Sequence, residues 1–395
     1  YSIRVKVVDN NNRESSVYSV SVTTSYVNPT ASITSTSQTS NSITVNAKGT
    51  AGSKTIAKYM FSSNGGSTWT TKTTSATTSS HTFTGLSGGT TYSIRVKVVD
   101  SGGKESTVVS KSITTDVATL AATCAGQTMS TCFKNNYTLD DSLYYHSDSL
   151  AYGAGDYSYR YAGANPNNYV CFGSTATTCP SNNLYRIIGI FGNQVKLIKN
   201  TSIGDYYWAS YVTAVWSESS LNTNILNGTY LSGLGTTWSN KIATTSWIVG
   251  SLNIEDATCL LPQEVYNMES RITTTYNAKV GLMYLNDYLF SAYPDAWSSA
   301  DMRDFNCSDG RLAYNDSTIT ANNWLHYAGR YEWTIRPDSS WSNAVCLFYP
   351  DGRVDSGKTY AVDDEMYISR PTFYLNSTVT LLSGTGTQSN PYQIS

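Results

Sequence analysis

Seven cysteines and three histidines are the residues on which covalent or metal chemistry in this chain would turn. All the cysteines lie after residue 120: Cys124, Cys132, Cys171, Cys179, Cys259, Cys307 and Cys346. Two pairs, 124/132 and 171/179, share one eight-residue separation within segments rich in Ser, Thr, Asn and Gly. Such short separations favour local disulfides, and with them an extracellular, cell-surface or secreted location where bridges persist. A metal fits poorly, because there is no Cys-x-x-Cys and His81, His146 and His326 are scattered. The odd count leaves one thiol over or paired elsewhere, and the partners of Cys259, Cys307 and Cys346 stay open.

Catalytic groups do not assemble from the sequence. A nucleophilic triad needs a histidine held by a partner. His146 stands in Tyr144-Tyr145-His146, His326 follows Trp324-Leu325, and no Gly-x-Ser-x-Gly occurs. The acidic run Asp363-Asp364-Glu365 points neighbouring carboxylates in different directions beside Gly357 and Tyr360, and reads as a solvated loop. Cys307 and Cys346 have few basic neighbours to activate a thiol, Arg303 and Arg311 apart. The expectation is a chain that is not an enzyme and has no catalytic residue, metal or cofactor.

Charged residues make up 14% of the chain and the net charge is −2, with no basic run. That argues against nucleic acid as a partner, which needs clustered Lys and Arg, and against a polybasic membrane patch. No apolar stretch approaches the roughly 18 residues that a membrane-spanning helix needs.

The elements that would carry any site begin with a repeat. YSIRVKVVD stands at residues 1–9 and again at 92–100, and the match continues through Glu14/Glu105, Ser15/Ser106 and Ser19/Ser110. A period of about ninety residues is that of one β-sandwich in a tandem array. The chain opens inside a unit and so reads as part of a longer molecule. Residues 25–116 read as one complete unit, with 1–24 the C-terminal part of another. Ile43, Val45 and Ala47 alternate with Thr44 and Asn46, and Tyr92, Ile94, Val96 and Val98 alternate with Ser93, Arg95 and Lys97. This is the period of half-buried strands. Asn64-Gly65-Gly66 supplies the positive-φ positions of a tight turn.

Leu86, Gly89-Thr90, Tyr92, Ile94, Val96 and Asp100 resemble the fibronectin type III domain. The resemblance implies a β-sandwich in which the Tyr92 hydroxyl bonds to backbone a few residues upstream, and a spacer role.

Residues 117–130 read as a linker and 131–395 as an α+β head. Residues 185–191 (YRIIGIF) and 194–199 (QVKLIK) flank Gly192-Asn193 as a hairpin. Leu221, Ile225, Leu226 and Tyr230 take helical spacing after a cap near Ser217–Ser220, and further short helices are expected at 239–243 and 298–305. Residues 279–285 read as a buried strand, and 332–336, 344–348 and 353–355 as successive strands with an Asp351-Gly352 turn. Arg336 and Arg370, each before a proline, suit bonds that brace the sheet to carbonyls or carboxylates. A ligand role is the alternative for both, and Arg336 is the one taken as a candidate ligand-binding residue.

The run WTIRP at 333–337, residues 344–348, Asp351-Gly352-Arg353-Val354 and RPTFYL at 370–375 resemble an uncharacterised domain of surface and secreted proteins of gut Gram-positive bacteria. That domain is similar in pattern to the C-type-lectin-like fold. The resemblance covers roughly residues 120–395, but the tripeptides of calcium-dependent sugar sites are missing. It implies binding through Trp341, Tyr349 and Tyr360. Tyr206, Tyr207, Trp208, Tyr211, Trp216, Tyr293 and Trp297 also fall in segments read as loops, a composition shared by paratopes and by aromatic-rich cores. The reading is an adhesin-like surface protein whose stalk presents a head to a host or neighbouring-cell glycan or protein. The alternative is a self-assembling subunit or decoration of an extracellular filament.

Overall fold

The structure is a computed structural model. It describes residues 1–116, 123–124, 126–253, 259–302, 312–339, 343–356 and 365–395. The chain is β-rich, with many sheets, and divides into two compact units, Tyr1–Ala118 and Thr119–Ser395.

In the first unit, strands Thr30–Gln38, Ser42–Thr50 and Thr78–Thr84 form one antiparallel sheet. Strands Thr70–Thr73, Ile56–Ser62, Thr91–Asp100 and Val109–Thr114 form another, in that order. Their inner faces share one core of Ile43, Val45, Ala47, Tyr59, Phe61, Ile94, Val96 and Val98. The alternation read from the sequence is thus what seals the sandwich. Gly65 takes φ 68° at the hairpin, where a side chain would be strained. The Tyr92 hydroxyl accepts the Ser87 N–H at 2.8 Å, five residues upstream, and ties the loop before its strand.

The repeated segment folds the same way twice. Asp9 accepts the N–H groups of Asn11 and Arg13, as Asp100 accepts those of Gly102 and Lys104. Lys6 pairs with Glu14 as Lys97 pairs with Glu105. These contacts are local, so identical sequence repeats them. Burial is not local: Ile94 and Val96 are sealed against the facing sheet, whereas Ile3 and Val5 are exposed.

The second unit has two main sheets. The larger runs Leu143–Tyr145, Tyr159–Tyr161, Leu184–Phe191, Gln194–Lys199, Thr372–Tyr374 and Val280–Gly281, with Tyr169–Cys171 also on Leu184–Phe191. All its pairings are antiparallel. The smaller runs Asp205–Tyr206, Tyr367–Ile368, Glu332–Pro337, Val345–Phe348 and Val354–Ser356. One apolar core joins them.

Several expectations are corrected. Trp208, Trp216 and Trp297 are fully buried rather than displayed on loops, whereas Tyr207 and Tyr211 are exposed. In a unit this rich in Tyr and Trp, indole rings fill the core that aliphatic side chains would otherwise fill. The 217–231 segment is a 3-10 turn, Trp216–Glu218, followed by a π-helix, Leu221–Tyr230, without a side-chain cap. The wider turn lets Asn227 bond to both Val280 N and Val280 O, gripping the edge of the larger sheet. The 279–285 strand is only Val280–Gly281, because the chain turns into helix Leu285–Leu289. The expected helices at 239–243 and 298–305 fall instead at Gly235–Ser239 and Ala296–Ser299. Within the expected linker, Thr128 already caps helix Met129–Asn136.

Cys124 is bonded to Cys132 and Cys171 to Cys179. Cys259 is also disulfide-bonded, Cys346 is a buried thiol, and Cys307 lies outside the described residues. Closing an eight-residue loop restricts the unfolded chain by about 2–3 kcal/mol per bridge. Reduction is therefore expected to lower the melting temperature of the second unit. The first unit, which has no cysteine, should keep its own. Calorimetric scans with and without reductant check both.

Candidate functional site

The second unit brings five charged side chains, Asp156, Arg160, Glu269, Asp287 and Arg336, to one small cavity, with Lys196 paired to Asp287 beside it. Lys196 lies on Gln194–Lys199, whose residues after Gln194 are all buried. Arg160 lies on Tyr159–Tyr161, Arg336 on Glu332–Pro337 and Glu269 near the end of helix Pro262–Ser270. Asp287 sits in the first turn of helix Leu285–Leu289, and Asp156 precedes the Arg160 strand.

Glu269 organises the network. It accepts Nε and Nη2 of Arg336 at 3.1 and 3.0 Å. It also accepts the backbone N–H of Leu285 and Asn286, and the Asn286 amide at 2.6 Å. These backbone groups open a helix and lack intrahelical partners, so a carboxylate there satisfies them. Asn286 passes the link on through its Oδ1 to Arg160 Nη1 at 2.6 Å. Arg160 in turn donates to Asp156 at 2.6 Å and to Ser158 at 2.8 Å. Arg336 Nη1 donates to Gly250 O at 2.9 Å.

Beside this chain of bonds, Lys196 Nζ meets Asp287 Oδ2 at 2.5 Å, both side chains wholly buried. The Tyr284 N–H shares the same oxygen at 2.8 Å. Rings of Tyr284, Tyr374, Phe191 and Trp247 surround Nζ at 4.2 to 5.6 Å. Trp247 reaches this place because Gly281 has no side chain: a Cβ there would come within 2.8 Å of the indole. Asp287 Oδ1 is buried and finds no hydrogen-bond partner among the described residues.

The cavity, about 160 Å³, is lined by Asp156, Arg160, Glu269, Asn286, Asp287 and Arg336, with Phe191 and Tyr266 half-buried at its edge. Burial pushes the Lys196 ammonium pKa down, while Asp287 opposes the shift. For Asp156 burial works upward, but the Arg160 guanidinium and the Ser158 bonds outweigh it and hold the carboxyl below its ordinary value. Next to this strand His146 is buried. Its Nδ1 accepts the Ala154 N–H at 2.9 Å, and its ring lies against Phe290 and Trp297. Burial, and then Arg160, lower its pKa to about 3.

Of the candidate ligand-binding residues singled out from sequence, Arg336 and Tyr349 are described, and they lie apart. Arg336 is fully buried and braced by Glu269. Tyr349 is half-buried near the other end of the same strand pair, its ring 4.9 Å from Tyr331 and 5.0 Å from the Arg353 guanidinium. Trp341 and Tyr360 lie outside the described residues, as do Asp363 and Asp364. Arg370 is buried against both oxygens of Glu332 at 2.7 Å and the Leu325 carbonyl. Sequence reasoning missed Lys196, Asp287, Glu269 and Arg160. The available signal was a lysine inside a run of β-branched and leucine residues, which demands a buried counter-charge.

Among the described residues no group of His, Cys, Asp and Glu could hold a metal ion, and no helix is long and apolar enough to cross a membrane.

No family model matches the chain, and no curated protein matches it. Solved structures do. Fibronectin(III)-like modules of Clostridium thermocellum CbhA are similar at 19% identity over 29% of this chain, with a TM-score of 0.21. The chain spans 61% of the length of that structure. The fourth FNIII domain of a human protein is similar at 23% identity over 25% of this chain and 88% of its own, with a TM-score of 0.19. The RsgI4 sensor domain of Pseudobacteroides cellulosolvens is similar at 17% identity over 23% of this chain and 98% of its own, with a TM-score of 0.19. Fibronectin type III modules are thus among its weak structural neighbours, over about a quarter of the chain.

Removing Glu269 strands Arg336. Glu269→Ala is expected to destabilise the second unit by about 3–5 kcal/mol, and the pair Glu269→Met with Arg336→Met to recover only the part due to the stranded guanidinium, since the Leu285 and Asn286 N–H groups lose their acceptor in both. Denaturant titrations measure it. His146 is neutral in the folded state, and its folded pKa lies below the unfolded 6.5. Its contribution is therefore complete above about pH 6.5 and is lost as pH falls toward the folded value. Melting temperature should drop with acidification over that range, and His146→Phe should flatten the slope.

Proposed function

We propose that this chain belongs to an extracellular bacterial surface protein in which fibronectin type III-like sandwiches hold out an α+β, lectin-like head, and that the head binds a glycan. The observation that supports the reading best is the cavity with its polar floor and aromatic edge. A pocket of about 160 Å³ admits one small ring rather than a folded partner. Ring hydroxyls match polar groups on its lining that keep some exposure, the Asp156 carboxylate as an acceptor and the Ser270 hydroxyl as donor or acceptor. The half-buried faces of Tyr266 and Phe191 offer the apolar contact that a sugar face makes with aromatic rings. The bonded cysteines support an oxidising compartment.

The test is a glycan array probed with the whole chain. Tyr266→Ala and Ser270→Trp, both at the cavity mouth, are expected to reduce binding at least tenfold with little change in melting temperature. Tyr349→Ala should leave binding intact. Loss of binding with Tyr349→Ala alone would move the site to the Tyr331–Tyr349 end. Silence across the array would overturn the reading.

A further inference from the structure

We propose that Lys196 and Asp287 join covalently, forming an intramolecular amide between Nζ and Cγ that staples the helix Leu285–Leu289 to the larger sheet. The inference does not depend on the glycan reading. It rests on how the two groups are held.

Nζ is already 2.5 Å from Oδ2, and Cγ is one bond further on. That places the nitrogen at or near the roughly 3–3.5 Å from which attack proceeds. Neither side chain can drift away. Lys196 is fixed by the backbone of a strand paired on both sides and by four surrounding rings. Asp287 is fixed because its Oδ2 caps its own helix through the Tyr284 N–H. Intramolecular placement of this kind replaces the concentration and orientation that amide formation in water lacks.

Burial works against charge on the lysine. Neither side chain has exposed surface and four rings crowd Nζ, so separated charge is poorly solvated here, and moving one proton from Nζ to Oδ2 along their hydrogen bond cancels both charges. Burial lowers the lysine pKa in the same direction. The amine lone pair then attacks Cγ, forming the N–C bond. The Cγ–Oδ2 bond breaks, and Oδ2 leaves as water with its own proton and one from nitrogen. One hydrogen stays on the amide nitrogen, and Oδ1 becomes the amide carbonyl oxygen. No oxidant, nucleotide or metal enters the balance. Both side chains have no exposed surface, so the water that would reverse the step has no ready access. Oδ1 keeps its place as an acceptor toward the cavity.

The other buried cations do not offer this chemistry. A guanidinium is a poor nucleophile that stays protonated, which excludes Arg160, Arg336 and Arg370. Lys199 donates to the Asn182 carbonyl rather than to a carboxyl.

The experiment is mass spectrometry of the purified, fully reduced chain. The intact mass is expected to fall below the sequence mass by one water. Trypsin should then release residues 187–199 joined to residues 280–303, uncut after Lys196. Full sequence mass, with a free peptide ending at Lys196, overturns the proposal. Asp287→Ala and Lys196→Met should each restore full mass. A water loss that persists in Asp287→Ala, as ring closure at Asp351-Gly352 would give, also overturns it. The wild-type peptide map decides the matter even if the variants fold poorly.

Discussion

Charge buried away from water governs the second unit. Glu269 holds Arg336, Asp287 holds Lys196, and Asp156 holds Arg160, with Asn286 bridging the first and third pairs. A buried ion is tolerable only when its partner is fixed at hydrogen-bond distance. Two of the pairs therefore demand that elements distant in sequence stay in register, whereas Asp156 and Arg160 are only four residues apart. Lys196 and Asp287 are 91 residues apart, and Glu269 and Arg336 are 67 apart. The pairs act less as a source of stability than as a constraint on which arrangement of the strands is acceptable.

That constraint explains features that packing alone does not. Glu269, near the end of one helix, holds the start of another, because the N–H groups it accepts belong to the first turn of Leu285–Leu289. The strand expected to continue past Gly281 ends there for the same reason. The aromatic rings around Lys196 exclude water while turning their electron-rich faces toward the ammonium. The cavity is what remains where these side chains meet without filling the space between them. The far end of the smaller sheet repeats the scheme, with Arg370 against Glu332. There, burial raises the Glu332 carboxyl and the guanidinium pulls it back.

The first unit is held by a different logic. Its shared core is built from apolar side chains and Tyr59, whose hydroxyl accepts Gly49 N–H and donates to Ala76 O, while Ser62, Asp100, Ser106 and Thr115 are buried at or near the ends of its strands. Many of its polar contacts close hairpins locally, as those of Asp9 and Asp100 do. A module of that kind can be copied along a chain without recruiting new partners, as the two versions of the repeated hairpin show.

Residue order was enough for whatever depends on near neighbours. Period-two alternation gave the sandwich strands, Gly65 and Gly192 marked hairpin turns, and equal cysteine spacings gave two bridges. Arg336 and Arg370 could be read as braces, because a guanidinium inside a strand needs an acceptor. Their acceptors could not be named: Glu269 and Glu332 carry no local mark that sets them apart from solvated carboxylates. Tryptophans in polar surroundings suited surface and core alike, and Trp208, Trp216 and Trp297 are core, since burial depends on what folds over a residue rather than on what flanks it. Lys196, Asp287, Glu269 and Arg160 meet only because four elements cross at one place, and the energy of a buried charge is set by that meeting alone.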